Sequence, residues 1–207
     1  MSSATFSIAD GNPGAYETLI LGIGNILWAD EGFGIRAVEE LHRKFTFPDN
    51  VRVMDGGTQG IFLLPWVRNA KRLLIFDAVD FNLEPATLKL IRGNDVPRFM
   101  GAKKMSMHQT GFQEVLSSAD LAGELPAELA LVGVQPELLN DYGGSLRDSV
   151  RHVVPEAIDL ALEVLAEWGV YAEPRAGALA GSDLVSPGEL DIRGYEQGRP
   201  KHGGDTL

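Results

Sequence analysis

Three acidic residues and one histidine stand at positions of this sequence where catalytic and metal-binding groups are often found. Glu31, Asp55 and Asp77 come soon after short apolar runs that predict strands, and His108 precedes a predicted helix. In an open α/β sheet, the functional crevice lies beyond the carboxyl ends of the strands, so the four side chains are expected to converge there. Two carboxylates and one imidazole suit a borderline divalent cation such as Ni²⁺ or Zn²⁺.

Each of these residues also has a purely structural interpretation. Glu31 can stabilise a helix N-terminus, and Asp55, which precedes two glycines, can form a turn. Asp77 is the stronger candidate, because a carboxylate at the end of a buried strand is costly unless it is paired, hydrogen-bonded or bound to a metal. A lone histidine such as His108 is more often structural than a ligand. Asp30 is expected to cap a helix.

The composition restricts the classes of function. The formal net charge of −11 in 207 residues argues against sequence-independent nucleic-acid binding and against binding to an anionic membrane surface. The absence of cysteine excludes disulfides, thiolate metal sites and cysteine nucleophiles, and it fits a cytoplasmic protein. The N-terminus has no signal-peptide pattern, and no apolar run is long enough to predict membrane insertion.

The pattern of apolar residues predicts one α/β domain at 17–170, with a flexible leader at 1–16 and a disordered tail at 171–207. The domain is expected to be a three-layer sandwich, with a mostly parallel, twisted sheet of about five strands and helices on both faces. The predicted strands are 18–24, 51–54, 72–76, 87–91 and 128–134, and the predicted helices are 31–44, 60–67, 109–120 and 146–168.

One predicted strand differs from the others in direction. The segment before 87–91 is too short for a crossover helix, so this strand should run antiparallel beside its predecessor in the sequence. Residues 92–107 are predicted to form a loop.

The turn after the first strand has some features of a nucleotide-binding loop. Gly22 and Gly24 match the first two glycines of a dinucleotide fingerprint, but Leu27 occupies the third position, where a bulky side chain would spoil helix packing. Glu31 would add negative charge near the phosphates. A nucleotide-dependent oxidoreductase therefore remains only a rival hypothesis for the function. The structural explanation of Gly22 and Gly24 is that they permit close approach of the backbone.

Five motifs, in order and with compatible spacing, resemble those of the nickel–iron hydrogenase maturation endopeptidases. The resemblance spans about residues 18–170, which makes 17–170 a single protease domain. The motifs are Leu21–Ile35, Asp55–Thr58, Leu74–Ala78, Ser106–Gln109 and Leu131–Glu137.

The resemblance implies an aspartyl-type endopeptidase that removes the C-terminal extension of the [NiFe] hydrogenase large-subunit precursor once nickel has been inserted. It implies that Glu31, Asp77 and His108 contact nickel carried by the substrate, which the free enzyme need not bind. Asp55 matches a further acidic position and is taken, with Glu31 and Asp77, as a catalytic or substrate-orienting residue.

The resemblance leaves the biological context open. The residues of the first and fourth motifs are most similar to those of family members that serve uptake hydrogenases. Substrate specificity is expected to lie in the loops at 81–85 and 141–145. Two alternatives remain at this point: a non-enzymatic nickel carrier or assembly chaperone for hydrogenase maturation, and a related protease that acts on another precursor.

Overall fold

The computed structural model describes residues 15–102, 107–177, 179, 184–186, 190 and 192–198, and their side chains except those of 100–110, 193 and 198. No helix among these residues is both long and apolar enough to cross a membrane. The strands are β1 (Thr18–Ile23), β2 (Phe45–Thr46), β3 (Val51–Gly57), β4 (Arg72–Ala78), β5 (Leu88–Arg92), β6 (Glu128–Val134) and β7 (Glu173–Pro174). The helices are α1 (Phe33–Lys44), α2 (Leu64–Asn69), α3 (Asp95–Ala102), α4 (Met107–Leu121), α5 (Asp148–His152), α6 (Val154–Glu167) and α7 (Ile192–Gly198).

The main sheet has the strand order β3-β1-β4-β6-β5, in which only the β5–β6 pair is antiparallel. Strands β1, β4 and β6 lie in its centre and are buried along almost their whole length, as their apolar sequences predict. One hydrophobic core packs α2, α3 and α4 against the sheet, and a second core packs α1, α5 and α6 against the other face. The predicted three-layer α/β fold is therefore confirmed.

The two faces of the sheet are distinguished by alternate residues of each strand. Leu73 and Ile75 of β4 belong to the core under α2–α4, which we call the α4 face. Leu74 and Phe76 belong to the core under α1, α5 and α6, which we call the α1 face. Because side chains alternate along a strand, this pattern also fixes the face of any polar residue at a strand end.

The partner of β5 differs from the prediction. The strand is antiparallel, but it pairs with β6 rather than with β4, its predecessor in the sequence. Both edges of β4 are already occupied by the parallel strands β1 and β6, so the outer edge of β6 is where an added strand can pair.

Two helical segments also differ from their predicted form. The loop predicted at 92–107 contains α3, which buries Val96 completely in the core. The helix predicted from 146 to 168 divides at Val153 into α5 and α6. Pro155 lies in the first turn of α6, where a residue without an N–H group is tolerated, whereas inside a continuous helix it would break a hydrogen bond.

In the described part of the chain, residues just outside the predicted domain of 17–170 also contact it. Tyr16, assigned to the leader, is buried and donates a hydrogen bond to the Trp66 carbonyl. In the predicted tail, β7 pairs with β2, and the Arg175 guanidinium donates to the carbonyl oxygens of His42 and Phe45. These contacts join residues 173–175 to the domain, while the flexible leader and the disordered tail otherwise stay predictions; the remainder of 1–16 and 171–207 lies outside the described residues.

Candidate active site

Asp77 lies at the carboxyl end of the central strand β4. The predicted strand ended just before Asp77, whereas β4 includes Asp77 and ends at Ala78. Its side chain is completely buried, and its register partner is Gly133 of β6. Asp77 continues the alternation of Leu73 and Ile75, so it points to the α4 face. A carboxylate in such a place requires a donor, a cation or a proton to be stable.

Glu31 reaches the same edge of the sheet from a different element. It lies in a 3₁₀ turn, Ala29–Gly32, that leads into α1 and packs beside β4. The Glu31 carbonyl accepts a hydrogen bond from the backbone N–H of Asn25 at 3.1 Å. Gly24 makes this fold-back possible, because its φ is +144° and a Cβ there would lie 1.9 Å from the Glu31 carbonyl oxygen. Gly24 is thus a close-approach glycine, as the structural alternative for the turn predicted.

The backbone of His108 lies in the first turn of α4, which begins two residues earlier than the helix predicted at 109–120. Its side chain lies outside the described residues. One turn later, Gly111 packs against Gly60, and a Cβ on Gly111 would lie 3.3 Å from the Gly60 Cα atom. Gly60 begins the 3₁₀ turn Gly60–Leu63 that follows β3, so the start of α4 lies at the carboxyl edge of the sheet, on the face to which Asp77 points.

Asp55 does not join this group. It lies within β3, not after it, and it is in step with Val51 and Val53, which pack on the α1 face. Asp55 and Asp77 therefore project from opposite faces of the sheet, so the structure does not bring these two carboxylates together on one face. The carboxyl edge brings backbones together, whereas the strand alternation decides on which side each carboxylate lies.

The Asp55 carboxylate instead organises a turn and holds the C-terminal segment. One oxygen accepts a hydrogen bond from the Gly57 N–H at 2.8 Å, and the other accepts one from the Ser186 hydroxyl at 2.9 Å. Burial raises the pKa of Asp55, against the opposing effects of these two bonds and of the Arg36 charge. The turn-forming role left open from the sequence is thus present in the structure, while catalysis by Asp55 stays a prediction.

A second carboxylate near Asp55 has a similar environment. Glu39 of α1 forms an ion pair with the guanidinium of Arg36 at 2.9 Å, and burial raises its pKa. Arg36 also donates to the Leu190 carbonyl in the C-terminal segment at 2.6 Å. This cluster of Arg36, Glu39, Asp55 and Ser186 joins α1 and β3 to Ser186 and Leu190, so it is a structural link on the α1 face.

Asp30 has a role that the sequence did not reveal. Its side chain caps no helix of its own; it is completely buried and accepts hydrogen bonds from the backbone N–H groups of Glu137, Leu138 and Arg147 at 2.8–2.9 Å. Its own N–H donates to the Leu138 carbonyl. Asp30 thereby fixes the loop after β6 to the turn that carries Glu31. In the sequence, the only indication of this role was that Asp30 is an acidic residue beside Glu31. An acidic residue at such a position is equally typical of a helix cap.

Gln135 holds another loop at the same edge. Its side-chain oxygen accepts hydrogen bonds from the N–H groups of Phe81 and Leu83 at 2.7 and 3.2 Å, and its amide donates to the Asp80 carboxylate at 3.1 Å. The loop after β4 is therefore anchored to the end of β6. The sequence indicated only a turn at this position.

The described side chains contain no cluster of three or more histidine and acidic residues placed to hold a metal ion. The predicted nickel-contacting residues include His108, whose side chain is not one of the described side chains. Glu31 and Asp77 lie on neighbouring elements at one edge of the sheet, and carboxylates together with an imidazole remain suitable ligands for nickel.

In open α/β folds the functional crevice lies beyond the carboxyl ends of the strands, and Asp77 and Glu31 lie at that edge. Comparison with known proteins makes the class specific. Residues 35–164 match the family model HycI, hydrogenase maturation protease, and the chain belongs to this family. It is accordingly a hydrolase, a hydrogenase maturation endopeptidase.

Relatives of known sequence and structure support this placement. The chain is 57% identical over 178 residues to the hydrogenase expression/formation protein HupD of Bradyrhizobium diazoefficiens, covering 86% of this chain and 93% of the relative. It is 42% identical over 158 residues to the hydrogenase 2 maturation protease of Escherichia coli, covering 76% of this chain and 95% of the relative. The structure of the hydrogenase maturating endopeptidase HybD of Escherichia coli superposes with a TM-score of 0.73 and 40% identity, covering 77% of this chain and 98% of that one.

Proposed function

We propose that this protease removes the C-terminal extension of a [NiFe] hydrogenase large-subunit precursor and recognises the precursor by the nickel it carries. The observation that carries the proposal is the completely buried carboxylate of Asp77 at the end of the central strand, with the Glu31 turn packed beside the same strand. Family membership supports peptide hydrolysis and disfavours the alternative of a non-enzymatic nickel carrier.

In this proposal, nickel enters as part of the substrate. Glu31, Asp77 and His108 are the groups that would contact it, and they would thereby place the scissile peptide beside the strand ends. A precursor without nickel would lack this anchor, which would prevent premature cleavage.

Hydrolysis requires a water molecule to add to the scissile carbonyl while a base accepts its proton and the leaving amine gains one. Glu31 is only partly buried, so water can reach it, whereas Asp77 is enclosed. We therefore assign proton acceptance to Glu31, in addition to its contact with nickel, whereas Asp77 would contact nickel only. A dyad of Asp55 and Asp77 sharing one proton would need adjacent carboxylates, and their opposite faces disfavour that arrangement.

The finer biological assignment is also part of the proposal. The sequence of the first and fourth motifs supports an uptake hydrogenase as the system served, and a cytoplasmic location fits a protease that acts on a subunit precursor during its maturation. The net charge of −11 is consistent with a protein substrate and with no nucleic-acid partner.

The proposal is tested by substituting the predicted nickel-contacting residues singly. Glu31→Gln, Asp77→Asn and His108→Ala are each expected to abolish cleavage of the nickel-loaded precursor, measured by intact mass. His152→Ala on α5 serves as the control and should cleave normally. Normal cleavage by Glu31→Gln or His108→Ala would reject the site, provided that circular dichroism shows all variants folded.

A further inference from the structure

Exposed apolar side chains gather at the carboxyl edge of the sheet. Among the described residues, most large apolar side chains that remain exposed lie on segments that follow the parallel strands, namely Leu27, Ile61, Phe62, Leu83, Leu138 and Tyr142. Scattered surface apolar residues need no explanation, but a group at one edge of a domain marks an interaction surface.

Three of these residues, Leu27, Leu138 and Tyr142, lie on segments that are tied to one another, and we call them the Tyr142 platform. The Gly143 N–H donates to the Leu27 carbonyl at 2.7 Å, and the rings of Trp28 and Tyr142 meet edge to face with centroids 5.3 Å apart. Leu138 is joined to the same turn through the buried Asp30 carboxylate. The three side chains are 37–68% exposed and therefore open to a partner, while hydrogen bonds fix the backbone of the segments that carry them.

The platform adjoins the candidate active site along the chain. Leu27 lies four residues before Glu31, just ahead of the 3₁₀ turn that carries Glu31, and the Asp30 carboxylate that binds the Leu138 N–H belongs to the residue next to Glu31. If the scissile bond of a bound polypeptide lies at Glu31, the residues next to that bond would therefore contact the platform.

The charges at the border of the platform restrict the chemistry of the partner. Glu31 and the exposed Glu137 contribute negative charge, while Arg147 is paired with Asp141 at 2.7 Å and adds little net charge. An acidic border beside an aromatic and aliphatic surface is complementary to a segment that carries large apolar side chains together with basic ones.

We propose that the Tyr142 platform binds an extended segment of the precursor next to its scissile bond, through a large apolar side chain flanked by basic residues. This proposal rests on the proposed function, because the partner is the substrate of that reaction. Tyr142 is then a specificity-determining residue that contributes to substrate binding and not to bond cleavage.

The test compares two tyrosines of equal exposure in steady-state cleavage of the nickel-loaded precursor. Tyr142 is 68% exposed, and Tyr171, which follows α6 near β7 and away from the candidate site, is 69% exposed. Tyr142→Ala is expected to raise KM about tenfold with kcat changed less than about twofold, as for an anchor residue at an interface. Tyr171→Ala should leave both constants unchanged.

Two further variants separate the proposal from a folding defect and from the proposed function. Tyr142→Phe keeps the ring and should behave as wild type, while Glu137→Gln should raise KM and weaken its dependence on salt. An unchanged KM in both Tyr142→Ala and Leu27→Ala, with normal cleavage by the wild type, would overturn the platform alone. Failure of the wild type to cleave the precursor would overturn the proposed function and the platform with it.

Discussion

Removal of the Asp30 carboxylate should destabilise the protein strongly, because three backbone N–H groups depend on it. In Asp30→Ala, these buried donors lose their acceptor, at about 1–3 kcal/mol for each group left unsatisfied. Water that enters the vacated space will restore part of this loss, so we expect a decrease of about 3–5 kcal/mol in the free energy of unfolding. Such a loss is a large fraction of the roughly 5–15 kcal/mol that stabilises a typical domain.

The isosteric variant provides a graded comparison. In Asp30→Asn, the remaining oxygen can keep the bonds from Glu137 and Leu138, while the new amide faces the Arg147 N–H as a second donor. One bond is then lost, which predicts a smaller decrease of about 1–3 kcal/mol. Urea unfolding followed by circular dichroism gives both values.

Asp49→Ala is the matched control, because Asp49 lies exposed in the turn before β3 and should change stability by less than about 0.5 kcal/mol. Hydrogen exchange supplies a local measurement, since the amides of Glu137, Leu138 and Arg147 should exchange faster in both Asp30 variants. An Asp30→Ala protein with the wild-type urea midpoint would refute the assignment of Asp30 as the residue that fixes this loop.

Gly34→Ala should cost about 3 kcal/mol or more in urea unfolding, because its Cβ would lie 2.2–2.3 Å from the carbonyl oxygens of Ile23 and Phe76; a wild-type midpoint would show that α1 can move away. Burial raises the pKa of Asp55 above its ordinary 3.8, so the folded protein loses stability as pH rises from there to the folded-state pKa. Asp55→Asn should gain stability relative to wild type across that range, and a pH-independent difference between the two would contradict the shift. Tyr16 has a pKa of about 12 because it is buried, and Tyr16→Phe should lower the free energy of unfolding by about 1 kcal/mol; no change would mean that its bond to Trp66 contributes nothing.

The central strands could be predicted from the sequence because burial on both faces leaves an unmistakable apolar run. The runs at 18–24, 72–76 and 128–134 correspond to β1, β4 and β6 within one or two residues at each end. The partner of β5 could not be predicted in this way, since it depends on which sheet edge remains open after β1 and β6 have paired with β4.

Part of the candidate site was also predictable from local sequence pattern. The position of Asp77 and Glu31 near strand ends follows from local pattern, and the structure places both at the carboxyl edge. The face of Asp55 depends on the alternation within β3 and on which helices cover each side, neither of which is a local property. Asp30 was misjudged because its partners at 137–147 are more than one hundred residues away in the sequence.

The most direct test of the central claim is the intact mass of a [NiFe] hydrogenase large-subunit precursor after incubation with this protein, measured in parallel for nickel-loaded and nickel-free precursor. Recognition through substrate-borne nickel predicts loss of a C-terminal peptide from the loaded form alone. Equal cleavage of both forms would contradict nickel recognition while leaving the protease assignment in place, and cleavage of neither would contradict the proposed substrate.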